Sequence, residues 1–210
     1  MHVHIVFAHP SHESFTGRLL DTLVRGLDDA GHTHTISDLY AMNFNPVLDG
    51  EGYLRESRLM ADVPVPADVA DEQAKLEAAD VWVFLYTVWW SDCPAILKGW
   101  FDRVWTVGYA YEPGHLKAKD TSAEAQIVSQ QKIVQQAFVL CTAGHSEEEL
   151  RSTGLYQGME AVMLTDRIST RATHRQFIVF GGSTTTDPEV WAALRQSQMD
   201  RAYHLGYDLG

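Results

Sequence analysis

The sequence predicts an α/β fold, a doubly wound five-stranded parallel sheet with helices on both faces. Three observations point to it. Short β-rich apolar runs alternate with helix-period stretches along the chain. One run, 81–86 (VWVFLY), is continuously apolar, as a central strand covered on both faces requires. The runs lead through polar or small-residue turns into helix starts, the strand–helix order that parallel strands need.

Taken in order, residues 3–8 form the first strand. Ser14 caps the next helix, in which Phe15, Leu19, Leu23 and Leu27 recur at four-residue spacing up to Gly31. Residues 32–39 (HTHTISDL) alternate as a second, less buried strand. Residues 40–66 are long and irregular, with Pro46, Gly50, Gly52, Pro64 and Pro66, and such a stretch in a compact domain usually serves function or a subunit contact. Residues 68–77 read as a helix, and strand three follows. Pro94 opens another helix, where its missing N–H is harmless; Ile96, Leu97, Trp100, Phe101 and Val104 form its buried stripe. Residues 114–133 are polar and Gln-rich, a surface excursion containing a helix. Residues 137–141 make the fourth strand, 177–180 the fifth, and 188–209 a closing helix.

The 210 residues fit one domain, and 45% apolar content supplies a core without disulfides or metal. The formal net charge of −12 repels nucleic acid and anionic membranes. The two cysteines, Cys93 and Cys141, lack metal spacing and sit in apolar stretches, as expected of a reducing compartment. No signal peptide and no run of about 20 apolar residues is visible, so a cytoplasmic chain without membrane insertion is expected.

In an open parallel sheet, ligands bind beyond the carboxyl ends of the strands. Those ends carry His9-Pro10-Ser11-His12-Glu13-Ser14-Phe15-Thr16, then Thr87-Val88-Trp89-Trp90-Ser91, then Thr142-Ala143-Gly144-His145. The first places hydroxyls and free amides at a helix N-terminus, a ready anion site. The second sets two tryptophans beside a buried strand end, where a planar ring can lie. The third is a small-residue turn that lets a ligand approach the main chain. No GxGxxG follows strand one and no GxxxxGK[ST] occurs, which excludes the usual dinucleotide and NTPase loops. A flavin or another phosphorylated ligand fits what remains.

Several stretches resemble the NAD(P)H:quinone oxidoreductases. They are Ala8-His9-Pro10 with Ser14-Phe15, residues 37–46 (SDLYAMNFNP), residues 72–80 (EQAKLEAAD) and residues 94–104 (PAILKGWFDRV), in the family's order over about the first half of the chain. The resemblance implies a flavodoxin-like sheet of order 2-1-3-4-5. It implies a homodimer with FAD, or FMN, at each subunit interface, and two-electron ping-pong hydride transfer from NAD(P)H to a quinone or related aromatic acceptor. His9, Ser14, Phe15 and Thr16 are then expected at the phosphates and ribityl chain. Thr87, Val88, Trp89, Trp90 and Ser91 are expected along the isoalloxazine, and Thr142, Ala143 and Gly144 at its pyrimidine edge. Tyr109 and Tyr111 fall where the family places aromatic residues over the substrate.

The chain departs from the pattern at Thr87-Val88-Trp89-Trp90, where the family often has Pro-Leu-Gln-Trp, and at Ala143-Gly144-His145, where paired glycines are usual. The family's Tyr and His at the flavin N1/O2 edge lack a clean match. Tyr156 is the nearest placement for the His and His145 the second, so these two are the catalytic candidates. Residues 117–136 align poorly. A flavin-binding regulatory subunit, and a specialised pathway reductase acting on one aromatic metabolite, stand as alternative functions.

Plainer readings accompany these. His9 can be a backbone-bonded histidine, Ser14 a simple cap, Trp89 and Trp90 packing residues, and Tyr156 a packing tyrosine. Cys93 reads as packing. His2-x-His4 and His32-x-His34 would point two imidazole pairs to one side of neighbouring strands, a zinc-like pattern that reads as an accidental surface cluster away from the site.

Overall fold

The computed structural model describes residues 1–111 and 132–209. Strands β1 (His2–Ala8), β2 (Thr33–Asp38), β3 (Val81–Thr87), β4 (Val134–Thr142) and β5 (Ala172–Phe180) form one all-parallel sheet, ordered β2-β1-β3-β4-β5. This is the predicted architecture and order. In β3, all residues but Thr87 are buried, which is why its sequence shows no polar alternation.

Alternate residues of each strand feed two cores. Ile5, Phe7, Val83 and Leu85 pack with Leu19, Leu23 and Leu27 of α1 (Phe15–Asp29) and with Ala202 of α7 (Pro188–Tyr207). Val6, Phe84 and Val139 face the other way, onto Leu76 of α3 (Ala67–Ala78) and Leu97, Trp100 and Phe101 of α4 (Ala95–Val104). Short helices α5 (Glu147–Ser152) and α6 (Leu155–Glu160), followed by a π-helical stretch over Ala161–Ile168, cross from β4 to β5 on this second face.

The structure adds to the sequence reading in several places. A helix, α2 (Gly50–Ser57), lies inside the stretch read as irregular. Its two glycines lower helix propensity, but Asp49 caps it by accepting the Gly52 N–H at 2.8 Å. Strand β4 begins at Val134 and β5 at Ala172, earlier than apolar content indicates; Thr173, His174, Arg175 and Gln176 are exposed, and ladder bonds on the sheet edge hold them. Pro94 is the cap residue before α4 and not its first turn. Most of the Gln-rich excursion lies outside the described residues.

Of the four histidines read as a surface cluster, His2, His32 and His34 are partly exposed and His4 is not a surface residue. His4 is fully buried, with Nδ1 2.9 Å from the Thr35 hydroxyl and Nε2 unpartnered. No group of three metal-capable side chains occurs among the described residues. Beneath it sits a carboxylate the sequence reading gave no role. Glu72 of α3 is fully buried and accepts from Trp100 Nε1 at 2.8 Å, Ser37 Oγ at 2.8 Å and Lys75 Nζ at 2.5 Å. These bonds join α3, α4 and β2, and they satisfy an indole N–H that burial would otherwise penalise.

Two expectations follow from this packing. Burial, only partly opposed by Glu72, lowers the His4 pKa from 6.5 to about 4. Between those values the unfolded chain binds a proton that the folded chain refuses, so stability is intact above pH 6.5 and falls as pH drops toward 4. The contribution is about 3 kcal/mol. Urea unfolding across this range should therefore show a shallower pH slope in His4→Leu than in the wild type, and equal slopes would refute the assignment. At Gly17, in the first turn of α1, a Cβ would lie 2.2 Å from the His12 carbonyl oxygen. Gly17→Ala should push the preceding loop outward and cost about 1–3 kcal/mol. An unchanged thermal melt would show that the loop gives way freely.

Candidate functional site

A parallel sheet sends every strand's carboxyl end to the same edge, and here the loops after β1, β3 and β4 meet there. One residue joins all three. The Thr142 hydroxyl is 2.8 Å from that of Thr16, and its carbonyl accepts the Val88 N–H at 2.8 Å. A fourth loop, after β5, leans on the third: the Ser183 hydroxyl donates to Ala143 O at 3.1 Å and that of Thr184 to Gly144 O at 2.9 Å.

In the first loop, Ser14 Oγ accepts the Gly17 N–H at 3.0 Å and Ser14 O accepts the Arg18 N–H. The amides of Phe15 and Thr16 occupy the first positions of α1, beyond reach of any carbonyl of the helix. They and the helix dipole face the loop as an anion cradle. His9 Nδ1 lies 3.0 Å from Ser11 N and 2.9 Å from Ser11 O, so the Ser11 backbone holds the ring by that nitrogen. Burial lowers the His9 pKa against the opposing Ser11 contact, which favours the neutral ring. The Phe15 ring packs edge-on against Trp191 at 5.2 Å, closing one side of the cradle.

In the second loop, Trp89 and Asp92 exchange backbone hydrogen bonds at 3.0 and 3.2 Å around a two-residue tip. Trp90 and Ser91 at the tip have φ of 52° and 60°, the left-handed pair of a type I′ turn. Asn-Gly is the usual occupant; non-glycine residues here cost about 1–2 kcal/mol each. The indole of Trp90 is fully exposed at 101%, so it packs on none of the described residues, and Trp89 is exposed as well. The amides of Val88, Trp89 and Asp92 are spent internally, which leaves those of Trp90 and Ser91 at the tip. Thr87 and Val88 are half-buried at the base.

Two residues that the sequence reading did not single out, Asp92 and Arg167, support this turn. Asp92 pairs with Arg167, Oδ1 to Nη1 at 3.1 Å and Oδ2 to Nη2 at 3.2 Å. Partial burial works against the Asp92 carboxylate, yet the Arg167 bonds hold its pKa below the usual range. Arg167 also donates to Cys93 Sγ at 3.2 Å and Met163 Sδ at 3.0 Å. Arg171, buried beside it, donates to Ala110 O at 2.7 Å. Asp92 directly follows Ser91 of the predicted loop, a signal that could have marked it; nothing in the local pattern marks Arg167 or Arg171. Burial pushes the Cys93 thiol up to about 12 and raises that of Cys141 as well, so neither is a thiolate at neutral pH.

The remaining predicted residues lie elsewhere. His145, on the third loop, is largely exposed, and its Nδ1 is 3.9 Å from Glu149. Tyr156 is buried: its hydroxyl donates to Phe177 O at 3.1 Å and the Arg151 guanidinium lies 3.5 Å over its ring. Phe177 is three residues below the end of β5, so the hydroxyl sits about 10 Å beneath the strand ends. Tyr109 and Tyr111 follow the C-terminus of α4, about 15 Å down the helix from the second loop. Tyr111 donates to Glu56 at 2.7 Å and lines an open cleft of about 420 Å³ with Glu56, Trp105 and Arg167. Tyr109 contacts Gln73 O and Trp105. Within one chain the two tyrosines do not join the loop cluster.

No helix among the described residues is long and apolar enough to cross a membrane. Comparison with known proteins matches residues 1–197 to the family model described as flavodoxin-like fold. The chain is 41% identical to an NAD(P)H:quinone oxidoreductase from Methanothermobacter marburgensis, over 100% of this chain and 96% of that one, with a TM-score of 0.86. A ribosyldihydronicotinamide dehydrogenase-like protein of Penicillium crustosum is 34% identical over 78% of this chain and 65% of its own length. NAD(P)H dehydrogenase [quinone] 1 of Rattus norvegicus is 38% identical over 51% of this chain and 44% of its own. The matched region thus spans only about half to two thirds of these two curated relatives. Strand order, the strand-end loops and a family match over nearly the whole length agree: the chain belongs to the flavodoxin-like-fold family that includes the NAD(P)H:quinone oxidoreductases.

Proposed function

We propose that the chain is a flavin-dependent NAD(P)H oxidoreductase that reduces quinones or related aromatic acceptors by two electrons. The observation that carries the reading is the junction at Thr142, where an anion cradle, an aromatic turn and a small-residue loop meet at one sheet edge. The likeness to the M. marburgensis quinone oxidoreductase, which extends over the whole of this chain, supports the same reading.

The residues present fit a flavin. The free amides of Phe15 and Thr16 would hold its phosphate, with the His9 ring beside them and the Ser14 hydroxyl turning to it from Ser11 O, to which it donates at 2.7 Å. Trp90 offers an indole uncovered by the described residues, Trp89 a partly exposed one, and the amides of Trp90 and Ser91 offer donors to a ring edge. Ala143 and Gly144 leave room for close approach to the main chain. A bound flavin supplies two-electron acceptance from a nicotinamide and donation to an acceptor, while the protein supplies orientation and electrostatics. The Ala143 N–H is spent on Phe180 O, so the Gly144 amide is the third-loop donor that would favour negative charge developing at that edge, as in an oxyanion hole. Of the two proton-donor candidates, His145 is free to reorient, whereas the Tyr156 hydroxyl is already engaged. Tyr109 and Tyr111 can reach a ring at the loops only from a second copy of the chain, so their role goes with a homodimer.

The purified protein is expected to be yellow, and release of the bound flavin identifies it as FAD or FMN. NAD(P)H oxidation with a panel of quinones should give parallel double-reciprocal lines, the signature of ping-pong turnover. A colourless protein that takes up neither flavin would overturn the reading. A flavoprotein that turns over only when a partner is added would replace it with the regulatory alternative.

A further inference from the structure

The strained turn at residues 89–92 raises a question the cofactor reading does not answer. Successive left-handed non-glycine residues persist only where surrounding structure over-determines them. The Trp90 side chain supplies no such restraint among the described residues, where its indole is fully exposed. The turn's own two hydrogen bonds are those of an isolated hairpin tip, which is marginal in water.

The restraint comes from the far end of the crossover. Arg167 leaves the π-helical stretch near the base of the sheet, where its carbonyl accepts the Trp105 Nε1–H at 2.5 Å. Its side chain passes over the Phe101 ring, 5.3 Å from the centroid, to reach the loop above α4. There the guanidinium engages both carboxylate oxygens of Asp92 and the sulfur of Cys93. Asp92 Oδ1 also accepts the Cys93 N–H at 2.7 Å, fixing the residue that leads into Pro94 and α4. The guanidinium is 6% exposed, so its bonds are little screened by solvent. A planar fork that binds a carboxylate at two points fixes direction as well as distance. Asp92 is the last residue of the turn, so fixing it fixes where the tip projects.

We propose that Arg167 is a positioning residue of the redox site: through Asp92 it clamps the 89–92 turn, and so sets where Trp90 and the amides of Trp90 and Ser91 meet the flavin and the aromatic acceptor. The clamp rests on the flavin reading for its consequence, but not for its existence. Arg167 itself touches neither ligand.

The test is a double-mutant cycle with Asp92→Asn, Arg167→Met and the pair. Asp92 is half-exposed, and Asn keeps an acceptor for the Cys93 N–H, so this variant holds the fold even if Arg167→Met does not. Hydrogen exchange of the ligand-free protein reads the clamp directly. The amides of Trp89 and Asp92 should exchange at least about tenfold faster in each variant, with β1 and β3 unchanged. With flavin, each variant should weaken flavin binding and raise the acceptor KM by about tenfold, with kcat within about twofold. The double variant should be no worse than either single, because both remove the same link. Unchanged exchange at residues 89 and 92 would overturn the clamp. Faster exchange with unaltered flavin affinity and KM would overturn its role in the site, as would additive effects. A wild type that binds no flavin would fail the functional reading alone, since the exchange experiment still decides whether the clamp exists.

Discussion

Thr142 is where the sheet's geometry becomes a site. Each loop it joins comes from a different crossover, and none is adjacent to another in sequence. The parallel arrangement brings them to one edge, but a common edge alone would leave three independent loops. A buried hydroxyl pair on one side and a backbone bond on the other fix their spacing. Because Thr142 ends β4, opposite Thr87 of β3 and Phe180 of β5, its position is held by ladders on both flanks. The edge of the site therefore inherits the rigidity of the sheet centre, as a binding constellation built on strands should.

Two buried charged groups organise the second face of the sheet, and they act on different scales. Glu72 lies between α3, α4 and β2 with every partner close, and it fixes how the helices sit on the sheet. Removing such a group would strand an indole N–H and a hydroxyl in the core. Arg167 is held just as deeply, but its carboxylate partner is near the surface and belongs to a loop. The first arrangement specifies packing. The second transmits the position of a packed crossover to a turn that has almost no packing of its own.

Much of this was legible in the residues. The continuous VWVFLY run fixed the central strand, and four-residue leucine spacing fixed α1, because burial on both faces or on one stripe leaves a direct trace in polarity. The three strand-end loops were located correctly for the same reason. Helix α2 was missed because its local propensity is poor and its support, from Arg55 to the carbonyls of Val63 and Val107, is tertiary. The lower halves of β4 and β5 were missed because ladder bonds, not apolar burial, make them strands. His4 was misjudged as a surface group because β2, whose alternation marks it as half-exposed, covers it from the side. The reach of Arg167 to Asp92 spans 75 positions and carries no periodic signal, so only the folded chain displays it.

The points where local preference fails are the informative ones. A well-adapted sequence agrees with its fold at every level, and exceptions gather where function imposes a demand. Here the exceptions coincide. A tryptophan and a serine occupy a turn made for Asn-Gly, a large indole stands in water, and both lie in the loop that the fold directs toward its ligand edge. Packing on the described residues does not account for Trp90, whose indole is fully exposed, and turn formation does not, since glycine would serve better. The indole is left exposed for contact beyond the described residues, on a turn whose last residue is paired with a buried arginine. The same residues that make this loop unfavourable in isolation are those a planar ligand would meet first.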